Sequence, residues 1–265
     1  MRGAIVAFLI VAESLAWRGA PAIAADPEPR AVLAPTGVLR AALYTGTPTS
    51  ILPDPKSGPR GVGYDLGKEL ARRLGVPYAP LVFSKNADVL AAIKDGTADV
   101  AFTNSSSAAR ARDMDFGPPF MEVELGYLVP RGSALSTVAE VDATELRVGV
   151  TAGSSSDATL SRDFKHAEII RVANFDAGIE MMSAGTLSAY ATNKASLFEI
   201  SGKLPGSKVL DGRWGVERFA VAIPKGRDAG MPFLRQFTVE VKSEGLVSAA
   251  ITRAGLRGAV TAAAE

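Results

Sequence analysis

Two ten-residue segments, DGTADVAFTN at 95–104 and AGTLSAYATN at 184–193, align without a gap. Each carries Gly-Thr, a short apolar run and Thr-Asn, and each follows an amphipathic stretch that its glycine ends. A glycine just past a helix takes the left-handed turn that stops it. A short apolar run bounded by polar residues is a buried strand. Helix and strand alternating at this spacing make parallel β-α-β units, so the duplicated pattern predicts two similar α/β lobes. The alternative is an echo of the kind any β-α-β protein produces.

The surrounding sequence repeats the pattern. Residues 38–43 (VLRAAL) and 146–150 (LRVGV) predict the strand that opens each lobe. Between them, the spacing predicts a helix over 64–74 stopped by Gly75, a strand over 78–83, a helix over 87–93 and a strand over 98–102. The second lobe has helices over 157–164 and 177–183 and strands over 169–172 and 187–191. Residues 126–130 (GYLVP) and 219–224 (FAVAIP) read as strands that cross between the lobes. Residues 231–254 read as helical, broken at Gly245, packing back on the first lobe. Residues 26–36 read as a flexible leader, and the tail after Gly258 as frayed. The resulting division is 1–25 signal peptide, 26–124 first lobe, 125–218 second lobe and 219–265 return to the first.

Residues 1–25 have a basic start at Arg2, an apolar run over 4–12 and Ala22-Ile23-Ala24 as a small-x-small cleavage site. The run is too short for a permanent membrane helix. Cleavage would remove Arg2, Arg18 and Glu13 from 29 basic and 28 acidic residues, leaving 27 of each. A neutral mature chain argues against a nucleic-acid partner and against an electrostatic membrane anchor. With no cysteine, the chain has no disulfide, thiol nucleophile, cysteine metal site or lipid-modified N-terminal cysteine. His166 is the only histidine, in a polar turn, so a Ser-His-Asp triad and a multi-histidine metal site lack support. GVGYDLG at 61–67 fails the dinucleotide fingerprint, because its last glycine is one residue late and it follows a loop. GSSSD at 153–157 fails the nucleophile elbow at its last position.

The residues that carry chemistry cluster at strand ends. The stretch 99–120 (DVAFTNSSSAARARDMDFGPPF) runs from a buried strand into a hydroxyl-rich bend, a helical turn bearing Arg110, and an extended exit. A planar guanidinium reaching over such a floor suits a carboxylate held by two parallel hydrogen bonds. The competing reading pairs Arg110 with Asp113 or Asp115 on a solvated face. Gly153-Ser154-Ser155 precedes a helix whose first N–H groups can hold an anion, while Ser155 or Ser156 can also simply cap it. Tyr44 follows the first strand, before a loop with four prolines and three glycines over 44–61. Its ring either walls a pocket or packs in the core.

Taken in order, VLRAAL, GVGYDLGKELARRLGV, AAIKDGTADVAFTN, AARARDMDFGPPF, GYLVPRGS, LRVGVTAGSSS, GTLSAYATN and FAVAIPKG resemble the periplasmic solute-binding proteins of polar amino-acid ABC transporters. The resemblance spans about 38–256. It implies a type II periplasmic-binding fold, two α/β lobes joined by two hinge strands around 122–125 and 218–220. It implies a soluble periplasmic protein, probing no nucleic acid, needing no cofactor or metal, monomeric, and delivering a small carboxylate-bearing solute to an ABC permease. By resemblance, Arg110 grips the ligand carboxylate. Thr103, Asn104 and Ser105 add contacts from the first lobe, Gly153, Ser154 and Ser155 complete the cage from the second, and Tyr44 lines it.

One position departs from the pattern. Amino-acid binders of this kind carry an aspartate where this chain has Asn193, and a buried ammonium without a charged partner costs several kcal/mol. Either the ligand lacks an α-ammonium, or another acid such as Asp157 or Glu180 supplies the charge. Asn193 itself either touches ligand or caps the next helix. The rival reading is an enzyme on the same scaffold, resembling cyclohexadienyl dehydratase, with Glu180 or Lys194 as candidate acid.

Overall fold

A computed structural model describes residues 28–56 and 58–263. The expected signal peptide lies outside them. In chain order the elements are α1 (Pro29–Leu33), β1 (Leu39–Tyr44), α2 (Val62–Leu74), β2 (Tyr78–Phe83), α3 (Asn86–Lys94), β3 (Val100–Ser105), β4 (Met114–Val129), β5 (Arg147–Thr151), α4 (Ser155–Asp163), β6 (Glu168–Val172), α5 (Phe175–Ser183), β7 (Ala189–Asn193), α6 (Lys194–Lys203), β8 (Lys208–Val209), β9 (Gly215–Pro224), α7 (Met231–Ser243), α8 (Leu246–Ala254) and β10 (Ala259–Thr261).

One sheet runs in the order β2-β1-β3-β9-β4-β7-β5-β6. At one side β1 lies parallel between β2 and β3. At the other, β5 lies parallel between β6 and β7. The expected pair of parallel halves is therefore present. Two antiparallel strands, β4 and β9, run between them. β4 pairs with β10 over Met121–Val123 and with β7 over Leu125–Leu128, so its neighbours change at residue 124.

β4 is longer than the sequence suggests, joining the DFGPPF exit and the GYLVP strand into 16 residues. Pro118 and Pro119 divide it in the sequence because proline has no N–H to donate to a ladder. The chain absorbs them with register shifts against β9 between Phe116 and Met121.

Both ends depart from the expected flexible leader and frayed tail. Residues 29–33 form α1, whose Leu33 is fully buried and packs so closely on Gly230 that a Cβ there would lie 2.5 Å from it. The tail forms β10 on β4, and the Ala262 N–H continues the pairing to the Phe120 carbonyl at 3.0 Å. In both cases a few apolar residues gain enough burial and backbone pairing to order a segment whose composition reads as linker.

The first half packs α2, α7 and α8 over Phe102, Phe120 and Phe237, with ring centroids 5.8 and 6.2 Å from Phe102. Gly245 takes φ +75° and splits α7 from α8 where expected. In the second half Tyr127 stacks on Trp214 at 6.0 Å. Beneath β1 and β3, Asp99 is fully buried and accepts from the Arg40 backbone N–H, from Arg40 Nε and Nη2, and from Arg227 Nη1. Among the described residues no helix is long and apolar enough to cross a membrane.

Candidate functional site

A cavity of about 50 Å³ lies where the carboxyl ends of β1, β5 and β7 converge on the start of β9. One water needs ~10–15 Å³ of such space, so the cavity suits a small solute, not a peptide or an oligosaccharide. Open parallel sheets place ligands beyond the carboxyl ends of their strands, which is where this cavity lies.

The loop from β1 to α2 is held in place by backbone hydrogen bonds. The first N–H groups of α2, at Val62, Gly63 and Tyr64, donate to the carbonyls of Pro48, Thr49 and Ser50 at 3.0–3.1 Å. These are donors a helix start leaves unsatisfied. Gly61 makes the approach possible, because with φ +152° a Cβ there would stand 2.2 Å from the Ser50 carbonyl oxygen. The clamp presents Thr47 and Thr49 to the cavity. Thr47 Oγ1 meets Ser196 Oγ at 2.7 Å, which ties this loop to the start of α6.

Arg110 sits on the 3-10 turn after β3, as expected, and lines the cavity. It pairs with neither Asp113 nor Asp115, which bind Lys94 and Lys225. Its Nη1 donates to the Ser105 carbonyl at 3.0 Å and to Ser105 Oγ at 3.1 Å, and its Nη2 donates across the cleft to the Gly153 carbonyl at 3.2 Å. A guanidinium has five N–H donors. Among the described residues the Nε–H and one Nη2–H have no acceptor, and they sit on the two nitrogens whose shared edge grips a carboxylate. Arg40 uses that edge on Asp99 in this molecule. Burial pulls the Arg110 pKa down and Glu217 pulls it back up, so this cation is poorly solvated and favours an anionic partner.

Glu217, on β9, is the residue that sequence reasoning missed. Among the described residues lining the cavity it carries the sole carboxylate. Its Oε1 accepts from Ser105 Oγ at 3.0 Å and from Ser155 Oγ, so it touches both halves at once. Ser105 also links it to Arg110. Strand alternation was the available signal. Val221 and Phe219 are buried in the core of the first half, so Glu217, two residues before Phe219, keeps the inward face of β9 where the apolar packing stops.

The acids proposed from sequence lie elsewhere. Asp157 is bound by Arg171 at 2.9 Å, by Ser161 Oγ and by the Gly153 N–H. Glu180 is exposed on α5. Lys194 is paired with Glu124 at 2.8 Å on β4. Neither Glu180 nor Lys194 lines the cavity.

The remaining expected residues divide. Ser154 and Ser155 line the cavity, and Ser154 caps α4 by accepting from the Asp157 N–H at 3.0 Å. Gly153 stands in an outer cleft between α3 and α4 with its N–H committed to Asp157. Asn193 is the cap of the next helix, α6, its Oδ1 accepting from the Ser196 N–H at 3.0 Å, and it also faces the cavity. Tyr44 also lines the cavity, packed on Phe175 with ring centroids 5.4 Å apart. Thr103 and Asn104 lie on β3, and their side chains are outside the described part of the structure.

Among the described residues no group of three or more acidic or histidine side chains could hold a metal ion. His166 is exposed, and its backbone N–H, with those of Lys165 and Ala167, donates to Asp142 at 2.9 Å.

Comparison with known proteins gives a consistent answer. Residues 39–253 match the family described as bacterial extracellular solute-binding proteins, family 3. The chain is 29% identical over 274 residues to membrane-bound lytic murein transglycosylase F 1 of Alkalilimnicola ehrlichii, covering 93% of this chain and 51% of that protein. It is 24% identical over 161 residues to a probable histidine-binding protein of Neisseria gonorrhoeae, covering 58% of this chain and 59% of that one. The chain thus spans between half and three fifths of these two relatives. A crystal structure of the solute receptors for L-cysteine of Neisseria gonorrhoeae superposes with TM-score 0.76 at 22% identity, covering 85% of this chain and 92% of that one. At that identity the likeness concerns the fold.

Proposed function

The chain belongs to the bacterial extracellular solute-binding proteins, family 3, and from that premise we propose that it captures a small zwitterionic amino acid in the periplasm and hands it to an ABC permease. The single observation that carries this reading is that Arg110 and Glu217 line one cavity, linked through the Ser105 hydroxyl. A guanidinium with uncommitted donors suits an α-carboxylate, and a carboxylate beside it suits an α-ammonium. The two protein charges cancel, as do the two ligand charges. Glu217 thereby takes the part that Asn193 lacks the charge to play. The relatives named for histidine and L-cysteine support a ligand of this size and class.

Capture works by closure of two lobes, 26–124 with 219–265 and 125–218. The hinge lies where β4 exchanges β10 for β7 near residue 124, and where β9 gains β3 as a second neighbour at Phe219. Contacts that exist only when the cleft is shut favour the shut form, and ligand that bridges both lobes adds to them. Arg110 to Gly153, Thr47 to Ser196 and Arg60 to Glu199 are such contacts.

Titration calorimetry tests the assignment. Arg110→Ala loses about 10- to 150-fold in affinity for the amino acid, the range of a hydrogen bond to a charged group. Glu217→Gln weakens the amino acid by a similar factor and strengthens its amine-free analogue. Equal effects of Glu217→Gln on both ligands contradict the zwitterion reading.

Glu217 also favours one rival. It is the group in this cavity able to act as a general acid, as a cyclohexadienyl dehydratase requires. Incubation with prephenate or arogenate decides this, since ring aromatisation would establish an enzyme.

A further inference from the structure

The lining of the cavity separates by chemistry. Arg110 and Glu217 form one hydrogen-bonded group with Ser105 and Ser155. The rest of the polar lining carries no formal charge. Thr151 on β5, Ser154 at the start of α4, Thr192 and Asn193 on β7, Ser196 on α6, and Thr47, Thr49 and Asn86 across the cleft offer only hydroxyls and two carboxamides.

Tyr44 completes this neutral part. Its side chain is more than nine-tenths buried, and no described residue forms a hydrogen bond with its hydroxyl. Buried polar groups in folded proteins are almost always paired, so an orphan that lines a binding cavity awaits a partner from outside the chain. The nearby Thr151 Oγ1 meets Tyr190 OH at 2.7 Å, and neither forms a hydrogen bond of good geometry with the Tyr44 hydroxyl. Burial pushes the Tyr44 pKa up to about 12, which keeps the hydroxyl neutral and able to donate. The Asn193 carboxamide is likewise half used, since its Oδ1 caps α6 and no hydrogen bond engages its Nδ2 within the described protein.

We infer that Tyr44, with Thr151, Thr192 and Asn193, forms a side-chain subsite that selects amino acids with short, neutral, hydrogen-bonding side chains. A hydroxyl or carboxamide on the ligand pairs the orphan. A charged side chain would be buried with no counter-ion, and an aliphatic one would leave the orphan unpaired. The inference rests on the amino-acid reading above and adds the class of side chain to it.

The test is calorimetry on the full chain with L-serine, L-threonine, L-asparagine, L-alanine, L-leucine, L-lysine and L-glutamate, using wild type and Tyr44→Phe. Serine, threonine or asparagine binds at least tenfold tighter than alanine, leucine, lysine and glutamate. In Tyr44→Phe, the preference for the polar ligand over alanine falls about tenfold, as loss of one buried hydrogen bond predicts. Tightest binding by lysine, glutamate or leucine overturns the subsite and leaves the amino-acid reading standing. An unchanged preference in Tyr44→Phe overturns the role of Tyr44. Absence of binding by every amino acid overturns the amino-acid reading, and the subsite with it.

Discussion

At the scale of single residues, a few buried polar groups are the most sensitive to substitution and to pH. Asp99 is fully buried and receives four hydrogen bonds from Arg40 and Arg227. Burial pushes its pKa up, but those bonds outweigh burial and hold it below the ordinary 3.8. A carboxylate with a depressed pKa stabilises the fold above its unfolded value and ceases to do so as pH falls through the folded one. Glu69, held down to about 2 by Arg72 and Arg73, acts in the same direction. Stability should therefore fall as pH drops from about 4.5 towards 2, measured by denaturant unfolding across that range. Asp99→Asn should lose about 3–5 kcal/mol at pH 7, because two arginines lose their buried anion, and its acid-induced loss should be smaller. The position of Arg110 at the cavity was legible from the polar strand end before it and the family resemblance, although the sequence left its pairing with Asp113 or Asp115 open. Glu217 was not, because one glutamate in a strand is ambiguous until the half of the strand that faces the cleft is known.

At the scale of elements, the duplicated helix–strand pattern predicted nearly every strand of both halves. Apart from the helix α6, what escaped it depended on long-range pairing. β4 was split by its prolines, α1 and β10 looked like linker, and β8 is only two residues long. Local propensity carries no record of a partner strand distant in sequence. β10 contributes three ladder positions to the stretch of β4 beside the proposed hinge. Removing residues 259–265 should therefore raise amide exchange in residues 120–124 more than in β5 and β6. Equal protection there would show that β10 does not brace the hinge. Tyr190 makes a second element-level point. Gly149 and Gly178 leave space for its ring, since a Cβ at Gly178 would lie 2.4 Å from it. Gly178→Ala should lower stability by about 1–3 kcal/mol, as overpacking does, and weaken ligand binding by displacing the Tyr190–Thr151 bond under the cavity. Thermal unfolding and calorimetry on one variant read both effects.

At the scale of the whole molecule, charge and shape are matched at the place where the two halves meet. Two parallel halves meet at a small cavity, and two antiparallel strands connect them. The chain places one cation and one anion there, among neutral hydroxyls. The duplicated sequence made the two-part architecture legible, and the resemblance to transporter-linked binding proteins agrees with the family found. The identity of the counter-charge was not legible, because it comes from a connecting strand and not from the repeated Thr-Asn ends. The most direct test is a crystal structure of the protein with a bound L-amino acid. The ligand carboxylate should lie within hydrogen-bond distance of Arg110 Nε or Nη2 and the ammonium within hydrogen-bond distance of the Glu217 carboxylate, inside a closed cleft. A ligand bound with its carboxylate away from Arg110, or with its ammonium on another acid, would contradict this account.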